Sequence, residues 1–183
     1  HSVINEKLHN GEMDITTGLL CDYAEKFNIN RYYNITMPTH TDGLTVTLWY
    51  RYRSNINEQT FFSLDPALRF GLTWLAEPVL SINWFDGTTT DIYGEALTDT
   101  DWHHLAFSFS PNNEITLVTD GELVASASAK DIFATADTAR IGNLDGGGYI
   151  IGDMQDLRIY IGSRTVDWLN AEKESICNTW ITH

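Results

Sequence analysis

Positive charge is what this sequence most lacks. Its 183 residues carry 11 Lys and Arg against 25 Asp and Glu, a formal net charge of −14. That balance repels phosphate backbones and anionic lipid surfaces, which argues against nucleic acid as a partner. Long apolar runs are missing as well: nothing approaches the roughly 20 consecutive residues a spanning helix needs, so no membrane insertion is expected. No signal peptide is seen, and the chain opens His1-Ser2-Val3 without a Met, as a segment cut from a longer precursor or trimmed from a tag would. Cysteine is limited to Cys21 and Cys177. Paired, they would close a loop over most of the chain, worth roughly 5 kcal/mol in the chain-entropy account. Unpaired, they would be two thiols of an intracellular protein. The disulfide is the expectation, because the termini of a single domain often lie close together.

What is present is enough for a core. The chain is 43% hydrophobic and 12% aromatic, which excludes wholesale disorder, and its length fits one domain over residues 1–183. The dominant pattern has period two. Leu44, Val46, Leu48, Tyr50 and Tyr52 alternate with Thr45, Thr47, Trp49, Arg51 and Arg53, as in a half-buried strand. Similar alternation carries Phe70, Leu72 and Trp74, then Leu80, Ile82 and Trp84, then Leu105, Phe107 and Phe109. Ile115 and Leu117 precede Asp120-Gly121, a dipeptide that between alternating segments predicts a two-residue hairpin. A last strand is predicted from about Met154 to Ile161.

Turn chemistry separates these segments: Asp42-Gly43, Asp65-Pro66, Asp86-Gly87, Pro111-Asn112-Asn113 and Asp145-Gly146-Gly147-Gly148. Many short strands at such spacing predict an all-β antiparallel sandwich or barrel, not a parallel α/β sheet. Two segments have helical spacing, Thr165 to about Ile176 and, more weakly, residues 2–9.

Catalytic chemistry finds little footing. His103 and His104 are neighbours in a strand, so they face opposite ways and cannot chelate one metal together. They read as structural histidines. No Gly-x-Ser-x-Gly elbow is present, and Gly146-Gly147-Gly148 lacks the Lys of a phosphate-binding loop. Asp120-Gly121-Glu122 reads as a solvated turn. A binding surface is better supplied. Sugars present flat apolar faces ringed by hydroxyls, which suit exposed rings flanked by Asp, Asn or Arg. Residues 74–93 hold Asn83, Trp84, Asp86, Asp91 and Tyr93, and the loop 143–149 adds Asp145 and Tyr149. Trp84 shares parity with Ile82 and Leu80, which also suits the core. Trp49, Arg51 and Arg53 lie on the polar parity of their strand. Asn34-Ile35-Thr36 is a lone glycosylation sequon.

Several stretches in order resemble the laminin-G-like, concanavalin A-like jelly-roll family. Leu44-Thr45-Val46-Thr47-Leu48-Trp49-Tyr50 is similar to its early strand, Asp101-Trp102-His103-His104-Leu105-Ala106 to its Trp-His-His strand, and Thr119-Asp120-Gly121-Glu122 to its Asp-Gly hairpin. Gly152-Asp153-Met154-Gln155-Asp156-Leu157-Arg158-Ile159-Tyr160 resembles the C-terminal strand, with Gln155 in place of the first Asp of the family's pair. The resemblance spans about residues 20–176 and implies a concanavalin A-like jelly roll with a short C-terminal helix. It also implies a structural calcium, with Asp156 as its ligand and Asp153 or Asp22 assisting. Glucanases of the family carry Glu-x-Asp-x-x-Glu on one strand; here Glu12-Met13-Asp14 lacks the third carboxylate and lies too near the N-terminus.

These readings converge on a non-catalytic, secreted or surface-exposed recognition module that binds a glycan or glycoprotein surface, within a longer parent chain. The binding residues expected are Asn83, Trp84, Asp86, Tyr93, Asp145 and Tyr149. The alternatives are a structural or protein–protein interaction domain on the same fold and, third, a glycosidase.

Overall fold

A computed structural model describes residues 15–16, 24–27, 32–37, 42–53, 58–64, 68–85, 89–128, 138–143 and 148–178. It contains thirteen strands and one helix: β1 (Ile15–Thr16), β2 (Ala24–Phe27), β3 (Tyr33–Thr36), β4 (Leu44–Tyr52), β5 (Glu58–Leu64), β6 (Leu68–Trp74), β7 (Pro78–Phe85), β8 (Thr89–Ala96), β9 (Trp102–Phe109), β10 (Glu114–Thr119), β11 (Glu122–Ser128), β12 (Thr138–Ile141), β13 (Gly152–Ile161) and α1 (Val166–Asn178). The strands form two sheets. A 7-stranded sheet runs β1-β2-β13-β4-β9-β10-β11, and a 6-stranded sheet runs β3-β12-β5-β6-β7-β8, with every pairing antiparallel. Only a tertiary closure can place the last long strand, β13, between β2 and β4.

The core is the interdigitated inner faces. From the first sheet come Leu44, Val46, Leu48, Leu105 and Phe107; from the second come Phe61, Phe62, Phe70, Leu80 and Ile82, all at 0% exposure. Phe107 bridges the sheets, meeting Phe70 edge-on with ring centroids 5.1 Å apart and Phe62 at 6.1 Å. Tilted and edge-on contacts of this kind suit the ring quadrupoles better than a stacked sandwich. Trp84 belongs here too, at 2% exposure, so parity with Ile82 decides it and the expectation of a binding role fails.

The predicted hairpin is present: Asp120 (φ 51°) and Gly121 (φ 85°) form the two-residue turn between Thr119 and Glu122. Both central residues sit in the left-handed region, where Asp and Gly are tolerated, which gives the turn the twist of its flanking strands. The Asp120 side chain holds the turn in place, accepting from the His104 backbone N–H at 2.8 Å and meeting His103 Nδ1 at 2.7 Å. Helix α1 starts one residue after Thr165, whose hydroxyl caps it by accepting from the Trp168 N–H at 3.2 Å.

Alternation along β4 suggested one wet face, but Thr45, Thr47 and Trp49 are as buried as the core residues between them. Helix α1 covers the outside of the first sheet. Its Leu169 packs on Ala106 and Val118, and its Glu172 lies buried over Thr47. Trp49 is therefore not a surface platform; it packs on His104 with ring centroids 5.3 Å apart. Arg51 and Arg53 converge instead on the fully buried Asp153, whose Oδ2 accepts from both at 2.6–2.8 Å.

Candidate functional site

With α1 over the first sheet, the outer face of the second sheet carries the exposed polar side chains. Its inward residues are Phe70, Leu72, Leu80, Ile82 and Ile92, so Arg69, Thr73, Ser81, Asn83, Asp91 and Tyr93 must point out. Register places Arg69 opposite Asn83 and Asn83 opposite Asp91, one row across three strands. Hydrogen bonds wire the row together and extend it to Glu58, which stands opposite Thr73, and to Tyr93, opposite Ser81. Arg69 Nη1 donates to Glu58 Oε2 at 3.2 Å and Nε donates to Asn83 Oδ1 at 3.0 Å. Asn83 Nδ2 donates to Asp91 Oδ1 at 2.7 Å, and the Tyr93 hydroxyl donates to Asp91 Oδ2 at 3.0 Å. This orders the amide unambiguously, since a guanidinium only donates and a carboxylate only accepts. The bond to Asp91 also pushes the Tyr93 phenol pKa up, because it favours the protonated form.

The neighbouring row is built from small side chains. Thr60 stands opposite Gly71, Gly71 opposite Ser81 and Ser81 opposite Tyr93. A Cβ on Gly71 would come within 1.9 Å of the Gln59 carbonyl oxygen, so no larger residue fits the floor. At the end of this row the Tyr93 ring is 40% exposed. Thr60, Gly71 and Ser81 are themselves buried, so the accessible groups of this face are Glu58, Asp91 and Tyr93, with Arg69 and Asn83 half-buried between them and held in place by the same hydrogen bonds.

The same polar row continues through Ser63, Arg140 and Asn34 to the far edge strand, β3. It is interrupted at Ser63, which is buried and donates its hydroxyl to the Asn143 carbonyl where the chain leaves β12. That segment returns at Gly148, whose carbonyl accepts from the Thr60 N–H at 2.7 Å. Tyr149 follows, half-buried, beside β5. Asn34 and Thr36 of the sequon are both exposed on β3, with Ile35 between them in the core.

Of the expected binding residues, the structure joins Asn83 and Tyr93 through Asp91, leaves Tyr149 half-buried in the segment flanking β5, strands away from them, and removes Trp84 to the core. Asp86 and Asp145 lie outside the described residues, as do Cys21 and the Cys177 side chain. Arg69 and Glu58 were missed. Arg69 had a visible signal: it occupies the same parity relative to Phe70 and Leu72 that Asn83 occupies relative to Ile82 and Trp84.

The calcium expectation meets a poor donor set. Asp156 sits at a bulge in β13, where it and Leu157 lie between the pairs Gln155–Trp49 and Arg158–Thr47, and its φ is 52°. Both of its carboxylate oxygens already face Arg158, at 2.9 and 2.7 Å. Asp153 Oδ2 is taken by Arg51 and Arg53, while its Oδ1 is buried without a hydrogen-bond partner. Hard cations need several converging oxygens, and among the described residues no three of His, Cys, Asp and Glu converge. The described side chains alone do not make a calcium site, and Asp22, the other ligand the resemblance implied, lies outside the described residues.

The remaining ionisable cluster lies under α1. Glu172 accepts from Tyr160 at 2.6 Å and from Arg158 at 3.1 Å, and burial pushes its carboxyl pKa up. His104 beside it is desolvated to a pKa of about 4 and is neutral at pH 7. His103, at the sandwich edge, is held as a cation with a pKa of about 9, chiefly by Asp120 and further by Asp99. His103 is thus bound to the carboxylates at the Asp120 turn, and His104 is buried against Trp49 under α1.

The fold is a two-sheet antiparallel jelly roll, with a helix over one outer face and a polar row on the other. The chain belongs to the concanavalin A-like lectin/glucanases superfamily, whose laminin-G-type family matches residues 28–170. No curated protein sequence matches it. Among solved structures it is similar to domain 4 of AbnA, an extracellular GH43 arabinanase from Geobacillus stearothermophilus, solved with arabinotriose. There the identity is 20% and the TM-score 0.71, with 88% of this chain and 81% of that one covered. It is similar to the binding domain of Paraclostridial Mosquitocidal Protein 1 (16% identity, TM-score 0.71, 91% and 46% covered). A putative carbohydrate-binding protein from Bacteroides ovatus is also similar (17% identity, TM-score 0.68, 80% and 45% covered). The chain spans less than half of the latter two.

Proposed function

We propose that this domain is a non-catalytic, extracellular recognition module that binds a saccharide on the outer face of the second sheet. The observation that carries the reading is the Glu58–Arg69–Asn83–Asp91–Tyr93 chain. Saccharide hydroxyls need paired donors and acceptors at fixed positions, and here each polar group is oriented by its neighbour before any ligand arrives. Such preorganisation lowers the entropic cost of binding. The exposed Tyr93 ring offers an apolar face to sugar C–H groups. The arabinotriose held by the AbnA domain and the carbohydrate-binding description of the Bacteroides protein support the same ligand class.

A glycan array followed by titration calorimetry tests this, each with and without EDTA. The expected result is a hit, weakened about tenfold or more by Asn83→Ala or Tyr93→Ala, in line with the loss of roughly 1.4 kcal/mol or more of contact energy. EDTA is expected to leave it unchanged. Absence of any glycan binding by the folded protein would refute the reading and favour a protein partner. One observation suits that second reading: Trp168 is 37% exposed on α1, edge-on to Tyr160, with the Arg164 guanidinium over both rings.

A further inference from the structure

The charge arrangement on this face carries the argument further, to the class of saccharide. Between Arg53 and His103 the chain contains one basic residue, Arg69, and that stretch supplies the four strands β5 to β8. Arg69 is already committed, with Nη1 on Glu58 and Nε on Asn83, and its side chain is only 17% exposed. Around it the exposed groups are acidic. The Glu58 side chain is 50% exposed, Asp91 is exposed next to Tyr93, and Glu95 is exposed two residues farther along β8. A bound carboxylate or sulfate beside Asn83 and Tyr93 would lie near several like charges, with Arg69 already neutralised and Arg140 two strands beyond Arg69 in the same row, across the buried Ser63.

We infer that the site accepts uncharged saccharides and rejects acidic ones, with Glu58, Asp91 and Glu95 as the residues that set this selectivity. The inference rests on the saccharide-binding reading above. Like charges brought together in a partly desolvated contact weaken binding strongly, and the negative field also slows the approach of an anion. Exposed hydroxyls carry no such penalty and are hydrogen-bonded as well by a carboxylate as by an amide. Selectivity then comes from repulsion against the wrong ligand as much as from attraction to the right one.

The test compares neutral tri- to hexasaccharides with the same chains bearing sialic acid, a uronic acid or a sulfate, at low and at physiological ionic strength. The acidic forms are expected to bind at least roughly tenfold more weakly, and the gap is expected to narrow as salt screens the face. Glu58→Gln combined with Glu95→Gln, both exposed substitutions, is expected to raise binding of the acidic forms several-fold at low salt. Preference of the wild-type chain for acidic saccharides would overturn the inference while leaving saccharide binding intact. An unchanged ratio in the double variant would also overturn it. Failure of every saccharide to bind would remove the functional reading itself.

Discussion

Gly71→Ala is the substitution that most directly links the fold to the proposed site. Gly71 lies in the middle of β6, opposite Thr60 on β5 and Ser81 on β7. An alanine Cβ there would sit 1.9 Å from the Gln59 carbonyl oxygen and 2.9 Å from the Gln59 carbonyl carbon and the Thr60 Cα. All three are backbone atoms, so no side chain can swing away, and β5 must shift by more than an ångström at its bulge. That shift pulls on Gln59, whose buried Oε1 accepts from Tyr50 and from the Ile151 N–H, both at 2.8 Å. Overpacking a tight site costs about 1–3 kcal/mol, and straining a buried hydrogen-bonded pair adds about 1–2 kcal/mol. A total of about 2–5 kcal/mol is a large share of the 5–15 kcal/mol of a typical domain. For a chain of this size it lowers Tm by roughly 5–15 °C. Urea titration followed by tryptophan fluorescence measures it directly. A midpoint shift equivalent to less than about 0.5 kcal/mol, within the range of an ordinary surface change, would refute the steric argument.

Two further outcomes follow from the same structure. Trp84→Phe keeps a ring in the core and is expected to cost about 1–2 kcal/mol while leaving saccharide affinity within about twofold; loss of binding without loss of stability would return Trp84 to the site. The two histidines predict opposite limbs of a stability–pH curve. His104, with its pKa lowered from 6.5 to about 4 by burial, stabilises the fold above pH 6.5, and that contribution is lost as pH falls toward 4. The shift corresponds to at most about 3 kcal/mol. His103, raised from 6.5 to about 9 by its carboxylates, contributes below pH 6.5 and loses that contribution as pH rises toward 9. Thermal melts across pH 4–9 are expected to show His103→Gln flattening the alkaline limb alone; a flattened acid limb instead would contradict the assignment.

What the sequence by itself determined was local. Alternation fixed which side chains of β4, β6, β7 and β9 face the core, because a strand has no choice but to put successive residues on opposite sides. Asp120-Gly121 fixed its turn, and Thr165 fixed the start of α1, through backbone conformations and hydrogen bonds that span only a few residues. Strand β5 escaped that reading because its bulge between Thr60 and Phe62 sends Phe61 and Phe62 both inward and breaks the period of two. Edge strand β8, Thr-rich and short of apolar residues, gave little signal for the same local reason. The burial of Trp49 and the pairing of Asp153 with two arginines depend on what covers a sheet face, and a strand's own sequence does not contain that. The site is similar: Asn83, Asp91 and Tyr93 were visible as polar and aromatic residues near one another, but Glu58 and Arg69 joined them only through the register of β5, β6 and β7. Hydrogen bonds reach about 3 Å, so a polar chain across four strands exists only once the tertiary fold has set those strands side by side.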